Sequence, residues 1–450
     1  MEKVADIRFS SAVQSRILAG ETLAGAAALL EGERDVFIVY DRAMEGGSVI
    51  LRRALPDERI FPLRASESAK TMDTVLSLCR AMMTSGVSRT GLVVAIGGGI
   101  TCDLAGFAAS IYKRGVRFAF IPTTLLSQVD AAIGGKTGVN VDTYKNMLGV
   151  IAQPEWVYLC PEVLSTLPER EYRCGLAEML KTFLIADAGL YEDAVSALGA
   201  PTSPRQSMKS AFSMDCSPET AALSMKSAFS MDCSPETAAT SMNSALFMDC
   251  FRFIIAAARI KAAVVERDPY ERSFERRKLN FGHTFAHAIE SVAQRRGDDI
   301  RHGEAVAMGM ILAARLGDAL ETAGAARFGD ALETAGATSP ARFPEDNGLA
   351  VRPERFPSAP DGAYRQTNLP AAPGLAERLA ADFRRLGLPV ECPYPLEALS
   401  DAMARDKKVD VDGIRFVLLK AVGEPCECVL TVQECLALLS GGEIPSLRSE

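Results

Sequence analysis

The stretch LVVAIGGGITCDLAGFAAS, residues 92–110, joins a short apolar run to three glycines and a helix-like segment. Apolar runs this short are typical of parallel strands that are buried on both faces of a sheet. Similar runs occur at Asp35–Asp41 and Arg117–Ile121, and helix-like segments separate them. Residues 1–166 are therefore predicted to form an α/β domain with a parallel, Rossmann-like sheet that binds ligands at the carboxyl ends of its strands.

The glycines at 97–99 lie between the predicted strand and helix, four residues before Asp103. Glycine allows backbone N–H groups to approach an anion, and a helix N-terminus adds a positive partial charge. The loop lacks the GxGxxG pattern, however, and a tight strand-to-helix turn would also require glycine. Two interpretations stay open, a phosphate-binding loop and a plain turn.

A second glycine-containing segment, DAAIGGKT at 130–137, ends like a P-loop. A P-loop requires a glycine five residues before its last glycine, and Asp130 stands there, which excludes a P-loop nucleoside triphosphatase. Lys136, Lys145 and Asn146 remain as donors for an anionic substrate or as ordinary solvated loop residues.

Residues 167–450 are predicted to form a second, mostly helical domain, because strand-like runs nearly vanish and Ala-rich segments follow. Two stretches in this domain contain near-identical tandem copies. Residues 207–223 repeat at 224–240, and GDALETAGA occurs at 317–325 and again at 329–337. Such copies cannot each make the same contacts in one core, so insertions near 201–249 and 317–373 are predicted to be peripheral.

All three histidines of the chain lie within twenty residues, at 283, 287 and 302. His283 and His287 are four apart, so they share one face of a helix. Neutral imidazole is a common zinc ligand, and a catalytic zinc needs three protein ligands. Spacing alone therefore nominates the three histidines as metal ligands, although histidines with no metal would be the simpler interpretation.

Glu178 and Lys181 in GLAEMLK are three residues apart and face the same side of a helix. Their apolar neighbours favour a buried, functional pair over a surface ion pair.

Composition narrows the function classes. The net charge of −8 argues against a general nucleic-acid binder, and no apolar run is long enough to span a membrane. Eleven cysteines in 450 residues are too sparse for a disulfide scaffold, and residues 1–11 have no apolar signal segment. We therefore expect a cytoplasmic protein with reduced thiols.

Several motifs together resemble the consecutive signature blocks of the 3-dehydroquinate synthase family. The resemblance covers about residues 1–200, 250–316 and 375–440, and the insertions depart from it. The blocks are IGGGITCDLAGFAASIYKRG, IPTTLLSQVDAAIGGKTGVN, YKNMLG, GLAEMLK, LNFGHTFAHAIE and HGEAVAMGM, with DKK at 406–408.

The resemblance implies a homodimeric lyase that uses NAD and a divalent metal, usually zinc, with cobalt as an alternative. The implied reaction converts 3-deoxy-D-arabino-heptulosonate 7-phosphate to 3-dehydroquinate and phosphate, in the shikimate pathway to chorismate and the aromatic amino acids. Transient oxidation of the C5 alcohol acidifies the C6 proton, phosphate leaves by β-elimination, and re-reduction and an intramolecular aldol closure follow.

The resemblance also implies roles for individual residues. Metal ligands would be Glu178, His283 and His302, so that His287 becomes a phosphate contact and proton relay rather than a ligand. Arg114 would reach the neighbouring subunit's active site. The implied NAD contacts are Asp41, Glu67, Lys70, Gly99, Ile100, Thr101, Cys102, Asp103, Thr123, Thr124, Lys136, Lys145, Val163, Leu164, Ser165 and Thr166. The implied catalytic and substrate residues are Asp130, Asn146, Lys181, Lys261, Arg276, Asn280, His287 and Lys407, with Arg277 and Lys408 as alternatives to their neighbours.

Three other functions are compatible with the sequence. Another sugar-phosphate cyclase would share the fold and cofactors but act on a substrate without a carboxylate, for which Lys261 and Arg276 would have no use. A metal-dependent polyol dehydrogenase would release NADH. A degenerate binding protein would have lost activity through its insertions.

Overall fold

The computed structural model describes residues 1–9, 12–44, 51, 55–142, 144–199, 235–322, 374–405, 409–410 and 413–441. At residues 12, 13, 235–249, 405, 409 and 410 it describes the backbone alone. Lys407 and Lys408, most of the tandem copies and the segment 323–373 thus lie outside the described residues.

A seven-stranded sheet forms the first domain. Its strands are β1 (Glu2–Phe9), β2 (Ala12–Ala19), β3 (Val36–Asp41), β4 (Ile60–Leu63), β5 (Leu92–Gly97), β6 (Arg117–Pro122) and β9 (Trp156–Leu159), in the order β1-β2-β9-β6-β5-β3-β4. All neighbours pair in parallel except β1 with β2. The parallel sheet predicted from the apolar runs is confirmed, and an antiparallel edge strand extends it.

Helices pack on the sheet, and a hairpin packs against one of these helices. The helices of this domain are α1 (Leu23–Ala27), α2 (Met72–Thr84) and α3 (Gly99–Ile111), and the antiparallel hairpin consists of β7 (Lys136–Val141) and β8 (Tyr144–Ile151). Every residue of β5 is buried, as expected for a strand with both faces covered. The hairpin was not foreseen from the sequence, because its glycine- and polar-rich strands lack a clear alternation.

The second domain is helical, with a small sheet. Its helices are α4 (Glu169–Leu184), α5 (Ala188–Leu198), α6 (Pro235–Arg267), α7 (Phe274–Arg277), α8 (His283–Arg296), α9 (His302–Thr322), α10 (Leu375–Arg385), α11 (Leu396–Arg405) and α12 (Val432–Leu439). Strands β10 (Val409–Asp410), β11 (Gly413–Ala421) and β12 (Glu424–Leu430) form an antiparallel sheet. Within the described residues, no helix is both long and apolar enough to cross a membrane.

The insertions predicted from the repeats overlap described helices at two ends. Residues 317–322 complete helix α9, where Leu320 is buried and the Asp318 carboxylate accepts the Ala376 N–H at 3.0 Å, at the start of α10. Residues 235–249 form the first part of α6. A repeat unit can therefore continue a helix of the core when its sequence keeps helical periodicity.

Candidate active site

Three side chains from three helices converge at one point. Glu178 lies in α4, and His283 and His302 are the first residues of α8 and α9. Glu178 Oε1 is 3.1 Å from His302 Nε2 and 3.5 Å from His283 Nε2. One donor atom from each residue lies within 4.8 Å of the other two. One carboxylate oxygen and two imidazole nitrogens at this spacing suit a tetrahedral divalent metal with one open position.

Close helix contacts bring these ligands together. A Cβ added to Gly303 would lie 2.2 Å from Cys174 Cα, so α9 can approach α4 only because residue 303 has no side chain. Gly282 adopts φ +78°, and an added Cβ would lie 2.7 Å from the backbone nitrogen of Met310. The glycines next to both histidines thus set the distance between the helices.

His287 lies beside this cluster rather than in it. Its ring is perpendicular to that of His283, with 5.8 Å between the ring centroids. Among the described residues, the donors that converge are those of Glu178, His283 and His302. Glu178 thus takes the place that spacing alone gave to His287, and the nomination of three histidines as the ligands was wrong. Spacing along one helix could not reveal a carboxylate brought in by another helix.

A buried chain of charges continues from Glu178. Lys181 Nζ is 2.6 Å from Glu178 Oε2 and 3.7 Å from Asp130 Oδ1. Burial alone would lower the pKa of Lys181, but Asp130 and Glu178 raise it. Burial alone would raise the pKa of Glu178, but Lys181 and His283 outweigh it and hold this pKa well below its usual value. The buried pair expected from GLAEMLK is therefore present as an ion pair.

Lys261 is a buried cation whose charge is only partly compensated. It donates to the Asp130 backbone oxygen at 2.6 Å and contacts the Asp130 carboxylate. Burial lowers the pKa of Lys261 to about 8, and nearby Lys181 and Arg276 also lower it, while Asp130 opposes the shift. An anionic ligand would stabilise the charged form of such a lysine.

The adjacent arginines point to different partners. Arg276 is buried and donates from Nη2 to the Gly134 oxygen at 2.8 Å. Arg277 instead pairs with Glu427, with 2.9 Å from Nε to Oε1. Arg276, and not Arg277, thus joins Lys181 and Lys261 in a cationic cluster, where burial and its charge both lower the pKa of Lys261.

Two acidic residues were missed in the sequence. Glu271 accepts from Asn280 Nδ2 at 2.7 Å and pairs with Lys136. Glu290 lies 3.3 Å from His302 Nδ1 and 2.9 Å from Lys145 Nζ. Glu290 follows His283 by seven residues, so the shared helix face could have indicated it. Glu271 lies in a loop, which has no periodicity to indicate it.

The glycine loop forms a second candidate site. Gly98 precedes α3 with no side-chain cap on the helix N-terminus. A Cβ at Gly98 would lie 3.0 Å from Thr124 Cγ2, and the Thr123 N–H donates to the Gly97 oxygen at 2.9 Å. The uncapped N–H groups and the restricted space fit an anion at the strand end.

Charged and polar groups form a network that includes Asp103, four residues after the loop. Lys70 Nζ lies 2.5 Å from Asp103 Oδ2 and donates to Asn146 Oδ1 at 2.5 Å. Glu67 accepts from Asn140 Nδ2 at 2.8 Å. Asn146, predicted as a substrate contact, thus contacts a residue predicted to bind NAD.

The remaining candidates lie at the carboxyl edge of the sheet or near it. Asp41 ends β3 and accepts the Ala43 N–H at 3.1 Å. A 3₁₀ turn at Pro161–Thr166 follows β9, with Val163 and Leu164 buried and with Ser165 and Thr166 bonded to backbone oxygens within the turn. Ile100, Thr101 and Cys102 form the first turn of α3, and burial raises the pKa of the Cys102 thiol.

Comparison with known proteins gives a consistent result. A model described as the 3-dehydroquinate synthase N-terminal region matches residues 60–174, and one described as the C-terminal region matches residues 221–344. The 3-dehydroquinate synthase of Geobacter metallireducens is 32% identical over 386 residues, which cover 86% of this chain and 79% of that protein. The enzyme of Streptococcus sanguinis is 32% identical over 365 residues, 81% of this chain and 77% of its own.

Solved structures share the fold. 2-epi-5-epi-valiolone synthase from Streptomyces hygroscopicus subsp. jinggangensis, with NAD+ and Zn2+ bound, has a TM-score of 0.66 at 24% identity and covers 96% of this chain and 98% of its own. A 2-deoxy-scyllo-inosose synthase complexed with carbaglucose-6-phosphate, NAD+ and Co2+ has a TM-score of 0.63 at 20% identity, with 98% and 99% covered.

Proposed function

The chain belongs to the 3-dehydroquinate synthase family, and we propose that it converts 3-deoxy-D-arabino-heptulosonate 7-phosphate to 3-dehydroquinate and phosphate with NAD and a divalent metal. One observation carries the proposal. The Glu178, His283 and His302 donors lie next to a buried group of cations that includes Lys181 and Lys261. A metal for hydroxyl oxygens and cations for a carboxylate are what this substrate requires.

The residues fit both cofactors. The donor set has the composition of a catalytic zinc site, and the uncapped N-terminus of α3 beside Gly98 suits a pyrophosphate. When bound, NAD supplies reversible hydride transfer and the metal supplies Lewis acidity. Glu178, His283 and His302 would hold the metal. The implied NAD contacts, from Asp41 to Thr166, lie along the carboxyl edge of the sheet and on the adjacent hairpin, where NAD would bind.

Lys261 and Arg276 bind the substrate carboxylate in this proposal. Both side chains are buried, and burial lowers the pKa of each, so each gains from a bound anion. A cyclase that acts on a sugar phosphate without a carboxylate would leave these two charges without a ligand. This difference favours 3-dehydroquinate synthase over the cyclases of the same fold.

The phosphate would be held by the remaining polar groups of the site. Asn146, Asn280 and His287 are assigned this role, with Lys136 and Lys407 as further cations. His287 would move a proton at its ring nitrogen as the phosphate departs, and the leaving phosphate can itself act as base. Asp130 holds Lys181 and Lys261 in place through its carboxylate. The protein's contribution is then mainly positioning and electrostatic stabilisation.

A homodimer is part of the proposal. Strand β8 is exposed along its whole length and presents large apolar side chains, among them Leu148 and Ile151. Exposed apolar surface of this kind is typical of an interface. Arg114, exposed in a turn with φ +68°, would reach the partner's phosphate site. Analytical ultracentrifugation checks the dimer.

A cytoplasmic location is also part of the proposal. The nine described cysteines are all free thiols, which supports it.

Phosphate release from the heptulosonate phosphate, with NAD and zinc added, tests the function directly. Glucose 6-phosphate, which lacks the carboxylate, serves as the comparison substrate. Phosphate release from the heptulosonate phosphate, and not from glucose 6-phosphate, supports the proposal. Net accumulation of NADH would indicate a polyol dehydrogenase, and release from glucose 6-phosphate would indicate another cyclase. A folded protein with neither activity would indicate a degenerate binding protein.

A further inference from the structure

The imidazole of His302 lies between two carboxylates. Its Nε2 is 3.1 Å from Glu178 Oε1, and its Nδ1 is 3.3 Å from Glu290 Oε1. The Glu290 side chain is only 9% exposed, so its charge is held in a largely dry environment. Each ring nitrogen therefore has one carboxylate partner, and the two partners come from different helices.

Glu290 has a second partner from the first domain. Lys145 Nζ lies 2.9 Å from the same oxygen, Oε1, that faces His302. Lys145 belongs to β8 of the hairpin, whereas Glu290 lies in the third turn of α8. Lys145 therefore compensates the buried charge of Glu290 and fixes the position of the oxygen beside His302.

We propose that Glu290 is a positioning residue that orients His302 as a metal ligand, an inference that rests on the proposed metal site. A carboxylate beside Nδ1 favours the tautomer with the proton on that nitrogen. The lone pair of Nε2 then faces Glu178 and the point where the donors converge. Because Lys145 holds Glu290, the hairpin of the first domain sets the orientation of a ligand in the second.

His283 is oriented by a different kind of group. Its Nδ1 lies 3.2 Å from the backbone oxygen of Phe281, which no substitution of a side chain can remove. The two histidines thus use a backbone carbonyl and a carboxylate for the same purpose. Glu290 is the member of this pair that a substitution can test.

Zinc affinity of the apoprotein, measured by competition with a chelator and without NAD or substrate, provides the test. Glu290→Leu should weaken zinc binding roughly 10–100-fold, as loss of such partners does elsewhere. Glu290→Gln should recover part of the affinity, since its amide oxygen still accepts from Nδ1–H. Lys145→Met should cause a smaller loss. The Co2+ absorption spectrum of Glu290→Leu should also differ from that of the wild type, because the His302 ligand is displaced.

Glu427→Leu is the matched control, because it removes a carboxylate that pairs with Arg277 and Arg415. It should leave zinc affinity and the Co2+ spectrum unchanged. Wild-type affinity and spectrum in folded Glu290→Leu would overturn the inference. If that variant does not fold, wild-type zinc affinity in both Glu290→Gln and Lys145→Met would overturn it. Absence of zinc binding by the wild-type protein would instead contradict the proposed function.

Discussion

The ammonium group of Lys261 donates a hydrogen bond to the backbone oxygen of Asp130 at 2.6 Å and also contacts the Asp130 carboxylate. The pair joins helix α6 of the second domain to the Ser127–Ala131 turn of the first. One carboxylate thus serves two buried lysines, because Lys181 lies 3.7 Å from Asp130 Oδ1. Glu178 also pairs with Lys181, so the two carboxylates balance the two lysines, and burial together with the added positive charge of Arg276 lowers the pKa of Lys261. This arrangement has a consequence for pH dependence.

The pKa of Lys261, lowered to about 8, predicts an alkaline limb in kcat/KM. Lys261 is cationic below this pKa and loses its charge as pH rises through it, so an anionic substrate binds less well above about pH 8. The pH profile of kcat/KM in the free enzyme measures this pKa. Lys261→Arg, which stays charged, should retain some activity and lack the limb. An unchanged limb in this variant would assign the titration to another group.

Arg276→Lys should lower kcat/KM at least ~10-fold, since a charge-assisted hydrogen bond contributes about 1.5–3 kcal/mol. The neighbouring Arg277→Lys is the control, because Arg277 pairs with Glu427 outside the cationic cluster. Its effect on kcat/KM should stay within about twofold, as expected for a partly exposed pair. Steady-state kinetics on both variants decides between the adjacent arginines, and the reverse order of effects would reassign the substrate contact.

His283→Ala should abolish stoichiometric zinc, because it removes one of three converging donors. Elemental analysis of the purified protein measures the metal content. Arg295→Ala, on the same helix and outside the donor cluster, should keep its zinc. Full metal occupancy in His283→Ala would contradict the assignment of the site.

Gly98→Val should weaken NAD binding at least ~10-fold, because a side chain there would fill the space beside Thr124 and the α3 N-terminus. Isothermal titration with NAD measures the affinity. Gly317→Ala is a control glycine substitution, since within the described part of the chain its methyl group would meet only the Leu419 oxygen, at 3.6 Å. Equal NAD affinity in the valine variant and the wild type would mean that the loop is only a turn.

Deletion of one 17-residue copy, Ser207–Leu223, should leave NAD-dependent phosphate release intact. The deletion retains all of Pro235–Arg267, which forms helix α6, whereas removing Ser224–Thr240 would nominally enter the helix. The two copies differ only in their last residue, Leu223 or Thr240. The two deletions therefore give products that differ at one position, which is Thr240 when Ser207–Leu223 is removed and Leu223 when Ser224–Thr240 is removed. Thermal denaturation and the phosphate assay check the result. Loss of soluble protein would show that the copy packs in the helical domain.

The sequence by itself determined the features that depend on local pattern. Apolar runs at 35–41, 92–96 and 117–121 predicted buried parallel strands, since covered strands need no alternation. The spacing of Glu178 and Lys181 placed them on one helix face, and their apolar neighbours indicated burial. Spacing could also put His283 and His287 together, because four residues make about one helical turn.

Local pattern did not decide which side chains meet across elements. The family resemblance implied Glu178, His283 and His302 as one set, and the tertiary structure shows how they meet. It brought Glu178 to His283 and His302, directed Arg276 inward and Arg277 to Glu427, and joined Lys145 to Glu290. It also showed that residues 317–322 complete α9, at one end of the predicted insertion. These outcomes depend on how closely helices approach, which Gly282 and Gly303 set through contacts far apart in the chain. A local pattern carries no information on such long-range distances, so they become apparent only when the chain is folded.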